Sequence, residues 1–126
     1  MKPLPWTDEL QRVRDRVEGK IGVSFNSCLV NLYRNGADTV GWHADDEPEL
    51  GDAPVIASVS LGVERDFVLR HKWQRDLKRT IALPHGSLLV MYPYTQHNWE
   101  HCLPRRAGIR ECRVNLTFRT IRPLAP

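Results

Sequence analysis

After residue 18 no long segment of the chain shows a helical period, and this constrains the fold more than any other feature of the sequence. The chain breaks instead into short β-rich runs at 23–33, 55–61, 67–71, 80–83, 87–92 and 112–120. Clusters of Gly, Pro, Asn and Asp separate them, the punctuation of antiparallel strands that close into a sandwich or barrel. Residues 7–18 are the exception. Thr7 predicts an N-cap, Asp8 and Glu9 suit the positive end of a helix, and Gly19 predicts its stop. Leu10, Val13 and Val17 then form one apolar stripe. The expected architecture is mainly β, with an N-terminal helix packed on a two-sheet jelly roll. Residues 1–126 are read as one domain, helix 7–18 followed by a β core over about 22–120.

Composition narrows the function classes. With 41% hydrophobic and 26% charged residues, the sequence is that of a folded, turn-rich protein and not of a disordered one. No apolar run approaches the ~18–20 residues of a membrane span. The N-terminus lacks a charged-then-apolar signal pattern, so a cytoplasmic location, or a nuclear one in a eukaryote, is expected rather than secretion. Cys28, Cys102 and Cys112 have no metal-type spacing and read as reduced thiols, with Cys28 and Cys112 expected in the core. Charge is uneven. Residues 1–63 hold six Lys/Arg against ten Asp/Glu, and residues 64–126 hold twelve against five. A basic second half suits a polyanionic partner, or simply a solvated surface.

Chemistry enters with His43-Ala44-Asp45. An imidazole and a carboxylate one residue apart can grip one face of an octahedral metal ion. A second, distant histidine would complete a two-His-one-carboxylate triad with open positions for a co-substrate and dioxygen. The residues alone leave that histidine open among His71, His85, His97 and His101. In the run 112–119 side chains alternate faces. Val114, Leu116 and Phe118 point one way, while Arg113, Asn115, Thr117 and Arg119 point the other. Lining a barrel mouth, the second set would be a rigid comb for a dianion, since each guanidinium can fork onto a carboxylate. Asn31 and Tyr33 share one face of an earlier strand, opposite Val30 and Leu32.

Four blocks in order then resemble the AlkB family of Fe(II)- and 2-oxoglutarate-dependent dioxygenases. They are Asn31-x-Tyr33 leading to His43-x-Asp45; Pro54-x-Ile56-Ala57-Ser58-Val59-Ser60-Leu61-Gly62 with Arg65-x-Phe67; His85-Gly86-Ser87-Leu88-Leu89-Val90-Met91; and Trp99-x-His101 with Arg113-x-Asn115-x-Thr117-x-Arg119. They cover about residues 20–120. The Asp45-Asp46-Glu47 run resembles the branch holding the animal DNA-repair members. The resemblance implies a double-stranded β-helix (jelly roll) and iron ligands His43, Asp45 and His101. It implies that Asn31, Tyr33 and Arg113 hold the distal carboxylate of 2-oxoglutarate, and Asn115 and Arg119 the carboxylate nearer iron. Asp46 and Glu47 would lie near the damaged base. Arg105, Arg106 and the basic stretch 70–79 would meet the phosphate backbone. The implied reaction, with dioxygen as co-substrate, is oxidative demethylation of 1-methyladenine- or 3-methylcytosine-type bases in DNA or RNA, with DNA the expected polymer. A monomer is expected.

One element of the family pattern has no counterpart in residues 1–126, the N-terminal nucleotide-recognition lid and its base-stacking aromatic. Looser substrate selection or a truncated form is the expectation, with Trp6, Trp42, Trp73 and Trp99 as candidate replacements. Two other readings stay open. One keeps the site but assigns a protein, lipid or small-molecule substrate. The other is a non-enzymatic nucleic-acid-binding β domain with a structural zinc, which would leave the arginine comb without a purpose.

Overall fold

The computed structural model describes residues 4–122; residues 1–3 and 123–126 of the expected domain lie outside the described residues. Helix α1 spans Asp8–Ile21 and strand β1 spans Ser27–Tyr33. Then follow β2 (Val40–His43), a 3₁₀ turn (Pro48–Leu50), β3 (Ile56–Gly62), β4 (Arg65–His71), β5 (Lys78–Leu83), β6 (Ser87–Met91), helix α2 (Pro93–Asn98), β7 (Trp99–Leu103) and β8 (Arg113–Arg119). The strands form two four-stranded sheets, ordered β1-β8-β3-β6 and β2-β7-β4-β5, with antiparallel pairing throughout. That is the jelly roll expected from the sequence. Among the described residues, no helix is long and apolar enough to cross a membrane.

Helix α1 begins as expected, with the Thr7 hydroxyl accepting the Leu10 N–H at 3.1 Å. It does not stop at Gly19. It runs one turn further to Gly22, whose φ of 73° and N–H to Glu18 O bond (2.8 Å) form a left-handed cap. The extra turn brings Ile21 into line with Leu10, Val13 and Val17, and all four pack on the outer face of the first sheet. There they meet Phe25, Ala57, Val59, Leu116 and Phe118. Burying that stripe offsets the ~1 kcal/mol that a mid-helix glycine costs.

Strand β3 is buried on both faces. Ala57 and Val59 meet the helix side, while Ser58 and Ser60 turn into the space between the sheets. Strand β8 divides its residues as the alternation predicts: Val114, Leu116 and Phe118 join the helix-side core, and Arg113, Asn115 and Thr117 line the cleft between the sheets. A second apolar cluster of Leu50, Ile56 and Met91, with Phe67 and Leu89, adjoins the cleft, which Phe67 and Met91 help to line. On the edge strand β1, Val30 and Leu32 are exposed.

Strands β2 and β7 and helix α2 are elements the sequence reading did not supply. Cys112 is also a correction. It is exposed, because β8 starts one residue later, and Cys102 on β7 is the buried thiol. Cys28 is half-buried, and burial pushes its thiol up to about 11. Alkylation at pH 8 followed by mass spectrometry should therefore label Cys112 first and Cys28 and Cys102 far more slowly. Equal labelling of the three would contradict this packing.

Candidate active site

The cleft between the sheets has about 590 Å³ of free space, its open mouth included. Asn31, Tyr33, His43, Asp45, His101, Arg113 and Asn115 all line it. Register explains the gathering. His43 and His101 face each other as partners of the β2–β7 pair. Across the first sheet, Asn31 pairs with Asn115 and Tyr33 with Arg113. Each strand delivers its inward-facing residues to one space.

His43 sits at the mouth. Its Nδ1–H donates to Gly41 O at 2.8 Å, which leaves Nε2 turned away from that bond and available as a ligand. His101 is 4% exposed, with its ring 5.0 Å from that of Phe67 and 4.3 Å from that of His43. Burial, reinforced by the neighbouring His43, holds its pKa down to about 3, so the ring is neutral and able to ligate. Its Nε2 lies 3.7 Å from Asp45 Oδ2. That is too long for a hydrogen bond but compatible with two donors to one ion. Burial raises the Asp45 pKa above the usual carboxylate range, with His43 acting against it. Among the described residues, no three His, Cys, Asp or Glu side chains are already closed into a metal cage. The donor set of two imidazoles and a carboxylate nevertheless fits a divalent ion.

The other histidines do not line this cleft. His71 Nδ1 accepts the N–H groups of Trp73 and Gln74 at 3.2 and 3.1 Å, and packs against Trp99. His85 Nδ1 accepts Gly62 N–H at 2.8 Å, and His97 on α2 bonds Asp52 O at 2.7 Å.

The opposite wall is cationic. Arg113 is 2% exposed, donates through Nη2 to Ser60 Oγ at 2.9 Å, and has an Nε with no partner. Its guanidinium lies 5.1 Å from the Tyr33 ring centroid. Asn115 is already engaged. It donates to Ser58 Oγ (2.6 Å) and towards Val59 O (3.4 Å), and accepts from Thr117 Oγ1 (2.6 Å). Arg119 does not line this cleft but an adjoining groove with Glu47 and Glu49. Its charge still lowers the Asp45 pKa, and its Nε is buried without a partner. Orphaned, buried guanidinium nitrogens fit a dicarboxylate.

The remaining candidates separate by contact. Asp46 and Glu47 are exposed beside Asp45, with Lys72 Nζ 4.0 Å from Asp46. Arg106 is tied to Asp66 at 2.8 Å, and Arg70 to Glu100 while it stacks 4.1 Å from the Trp42 ring. Arg105, Arg75, Lys78 and Arg79 are exposed. Trp6 stacks on Phe118 in the core, and Trp73 is 70% exposed.

Two residues that matter here carried no role in the sequence reading. Arg65 is 1% exposed and donates to the carbonyls of Asn35 (3.1 Å), Asp38 (3.0 Å) and Pro104 (2.9 Å). Gln96 accepts the Asp45 N–H at 2.9 Å. Both act on main-chain atoms far away in sequence, which leave no residue pattern to find.

Residues 1–119 match the family model described as the 2OG-Fe(II) oxygenase superfamily. DNA oxidative demethylase ALKBH2 of Mus musculus is 49% identical over 130 residues, spanning 98% of this chain and 54% of that protein. Alpha-ketoglutarate-dependent dioxygenase alkB homolog 3 of Homo sapiens is 46% identical over 132 residues, spanning 98% of this chain and 46% of that protein. The chain thus covers about half the length of these curated relatives. The solved structure of OsALKBH1 superposes with a TM-score of 0.62 at 24% identity, over 90% of this chain and 60% of that one, a likeness of fold.

Proposed function

Because the chain belongs to the 2OG-Fe(II) oxygenase superfamily, we propose that it is the catalytic domain of an AlkB-type dioxygenase that removes N-methyl groups from nucleic-acid bases. Fe(II), 2-oxoglutarate and dioxygen are the cofactor set that membership carries. The observation that carries the assignment is a buried Arg113 with no carboxylate partner among the described residues, in the same cleft as His43, Asp45 and His101.

In this reading His43, Asp45 and His101 hold the metal. Arg113, Tyr33 and Asn31 receive the distal carboxylate of 2-oxoglutarate. Asn115 serves the carboxylate nearer the metal by giving up its long contact to Val59 O, and Arg119 adds its positive charge from the adjoining groove. When bound, the metal and 2-oxoglutarate supply the oxidising power to hydroxylate an N-methyl group, whose product collapses to formaldehyde and the repaired base. The chain's own work is placement. Phe67 and Met91 keep the metal side of the cleft apolar, which excludes water. Asp46 and Glu47 face the arriving base from the rim. That base must leave its stack, which is easiest in single strands or at lesions that block pairing. Arg105, Lys78 and Arg79 are exposed cations for phosphates, with Arg75 beside them though 4.0 Å from Glu100, and their contribution should weaken with salt. Arg106 and Arg70 are held by Asp66 and Glu100, so their part in backbone binding is smaller than the sequence suggests.

Anaerobic titration of the folded protein with Fe(II) and 2-oxoglutarate should produce the weak visible charge-transfer band of the chelated co-substrate. In air, single-stranded DNA bearing 1-methyladenine should then release formaldehyde. No band in a folded, iron-loaded sample would sink the dioxygenase assignment. A band without formaldehyde from methylated DNA or RNA would sink the substrate and favour another oxidation target.

A further inference from the structure

Gln96 is fully buried, at 0% exposure, on the short helix α2. Its Oε1 accepts the Asp45 N–H at 2.9 Å, while its Nε2 faces only Met91 Sδ, a weak acceptor, at 3.5 Å. Burying an amide with one good partner and one soft one costs stability that an apolar side chain of the same length would not. Packing alone is therefore a poor reason for a glutamine here. What the glutamine does hold is the main chain at Asp45.

That hold is needed because the sheet does not supply it. His43 and His101 are the terminal registered pair of β2 and β7, so Asp45 lies two residues beyond the end of the ladder. Its carboxylate must nonetheless meet the same point as His101 Nε2, now 3.7 Å from Asp45 Oδ2. Helix α2 runs directly into β7, which carries His101. A bond from α2 to Asp45 N–H thus ties the loop with one donor to the segment with another, across 51 positions of sequence.

We propose that Gln96 is the positioning residue of the metal centre, fixing the Asp45 main chain so that its carboxylate and His101 converge. It touches neither metal nor substrate and acts through Asp45. The inference rests on the assignment of His43, Asp45 and His101 as ligands.

The test uses Mn(II) as probe, titrated anaerobically into the full chain and followed by electron paramagnetic resonance, with melting curves recorded without metal. Gln96→Met keeps the length and removes the acceptor. Gln96→Glu keeps an acceptor. Gln96→Asn keeps the amide but is one methylene too short. Wild type should bind. Gln96→Met and Gln96→Asn should bind about 10–100-fold more weakly. Gln96→Glu should stay close to wild type, and the metal-free melting temperature of Gln96→Met should fall by no more than a few degrees, the lost Asp45 N–H bond being offset by burial of the apolar side chain. If wild type binds and either shortened or acceptor-free variant that folds binds equally well, the role of Gln96 is overturned. The same follows if Gln96→Glu loses as much as Gln96→Met. If wild type itself binds no Mn(II), the ligand assignment fails, and this role with it.

Discussion

Replacing Arg113 with methionine should weaken 2-oxoglutarate binding by about two to three orders of magnitude while leaving the ligand-free protein as stable as wild type or more so. The two effects have opposite signs for one reason. Arg113 is 2% exposed, its side-chain partners are the neutral hydroxyls of Ser60 and Tyr33, and its Nε has no partner. Burial lowers its pKa, which means the folded protein holds this charge against a desolvation penalty. Removing a buried charge that lacks an anionic partner is commonly neutral or stabilising. Once a carboxylate arrives, the same guanidinium forms short, charge-assisted bonds in a dry site, and truncating one member of such a pair costs ~2–5 kcal/mol. At ~1.4 kcal/mol per tenfold, that gives the predicted loss. Thermal shift reads both quantities. Wild type should melt higher as 2-oxoglutarate is added, by linkage, and Arg113→Met should start at or above the wild-type ligand-free value and respond only at far higher concentration. Unchanged 2-oxoglutarate dependence, or a large fall in the ligand-free melting temperature, would show that Arg113 is a structural cation and not a waiting one.

This division between residues that serve the fold and residues that await a ligand decides what the sequence could reveal. Strand β8 was legible because Val114, Leu116 and Phe118 alternate strictly with Arg113, Asn115 and Thr117, and the sheet sends the two sets to the helix core and the cleft. Helix α1 was legible in its cap and stripe, and misread at its end because Gly19 looks like a stop while the packing of Ile21 overrides it. Strands β2 and β7 were not legible. A half-buried strand is recognised by a run of apolar residues on its inward face, and here each run is broken, by His43 after Val40 across a register shift and by His101 before Leu103. The strands proposed to hold the metal are hard to see because histidines take inward places that apolar residues would otherwise mark. The choice among four histidines was equally closed to pattern. Only His43 and His101 line the cleft with Asp45, while His71, His85 and His97 lie outside it, and that placement exists only in the folded chain. Cys112 was misplaced by a strand boundary one residue off, the kind of error to which period-2 patterns are most sensitive.

Arg65 should behave in the opposite way to Arg113, although both are buried arginines beside Tyr33. Its guanidinium spends three hydrogen bonds on the carbonyls of Asn35, Asp38 and Pro104. These lie in two loops that also meet through Gly36 N–H to Ile109 O at 2.9 Å and Arg106 N–H to Gly36 O at 3.0 Å. The crossing is so close that a Cβ on Gly36 would come within 1.9 Å of Arg106 O. The loops follow β1 and β7, and the same crossing sits beside the Tyr33 end of the cleft. Arg65→Met removes all three donors and leaves partly buried carbonyls unsatisfied at ~1–3 kcal/mol each, softened where water can replace the guanidinium. A loss of roughly 3–5 kcal/mol follows, and a fall in melting temperature on the order of 10 °C or more for a chain of this size. Arg65→Lys keeps the charge but not the planar fork that serves three acceptors, so it should recover only a minor part of the loss. If Arg65→Met melts like wild type and instead loses only 2-oxoglutarate affinity, then Arg65 is a second ligand cation and the loop clamp is incidental. If Arg65→Lys is fully stable, a point charge is enough and the fork geometry is not what holds the loops. The combined expectation, Arg113→Met stable but blind to 2-oxoglutarate and Arg65→Met unstable, separates by experiment two guanidiniums that look alike in their burial and differ only in their acceptors.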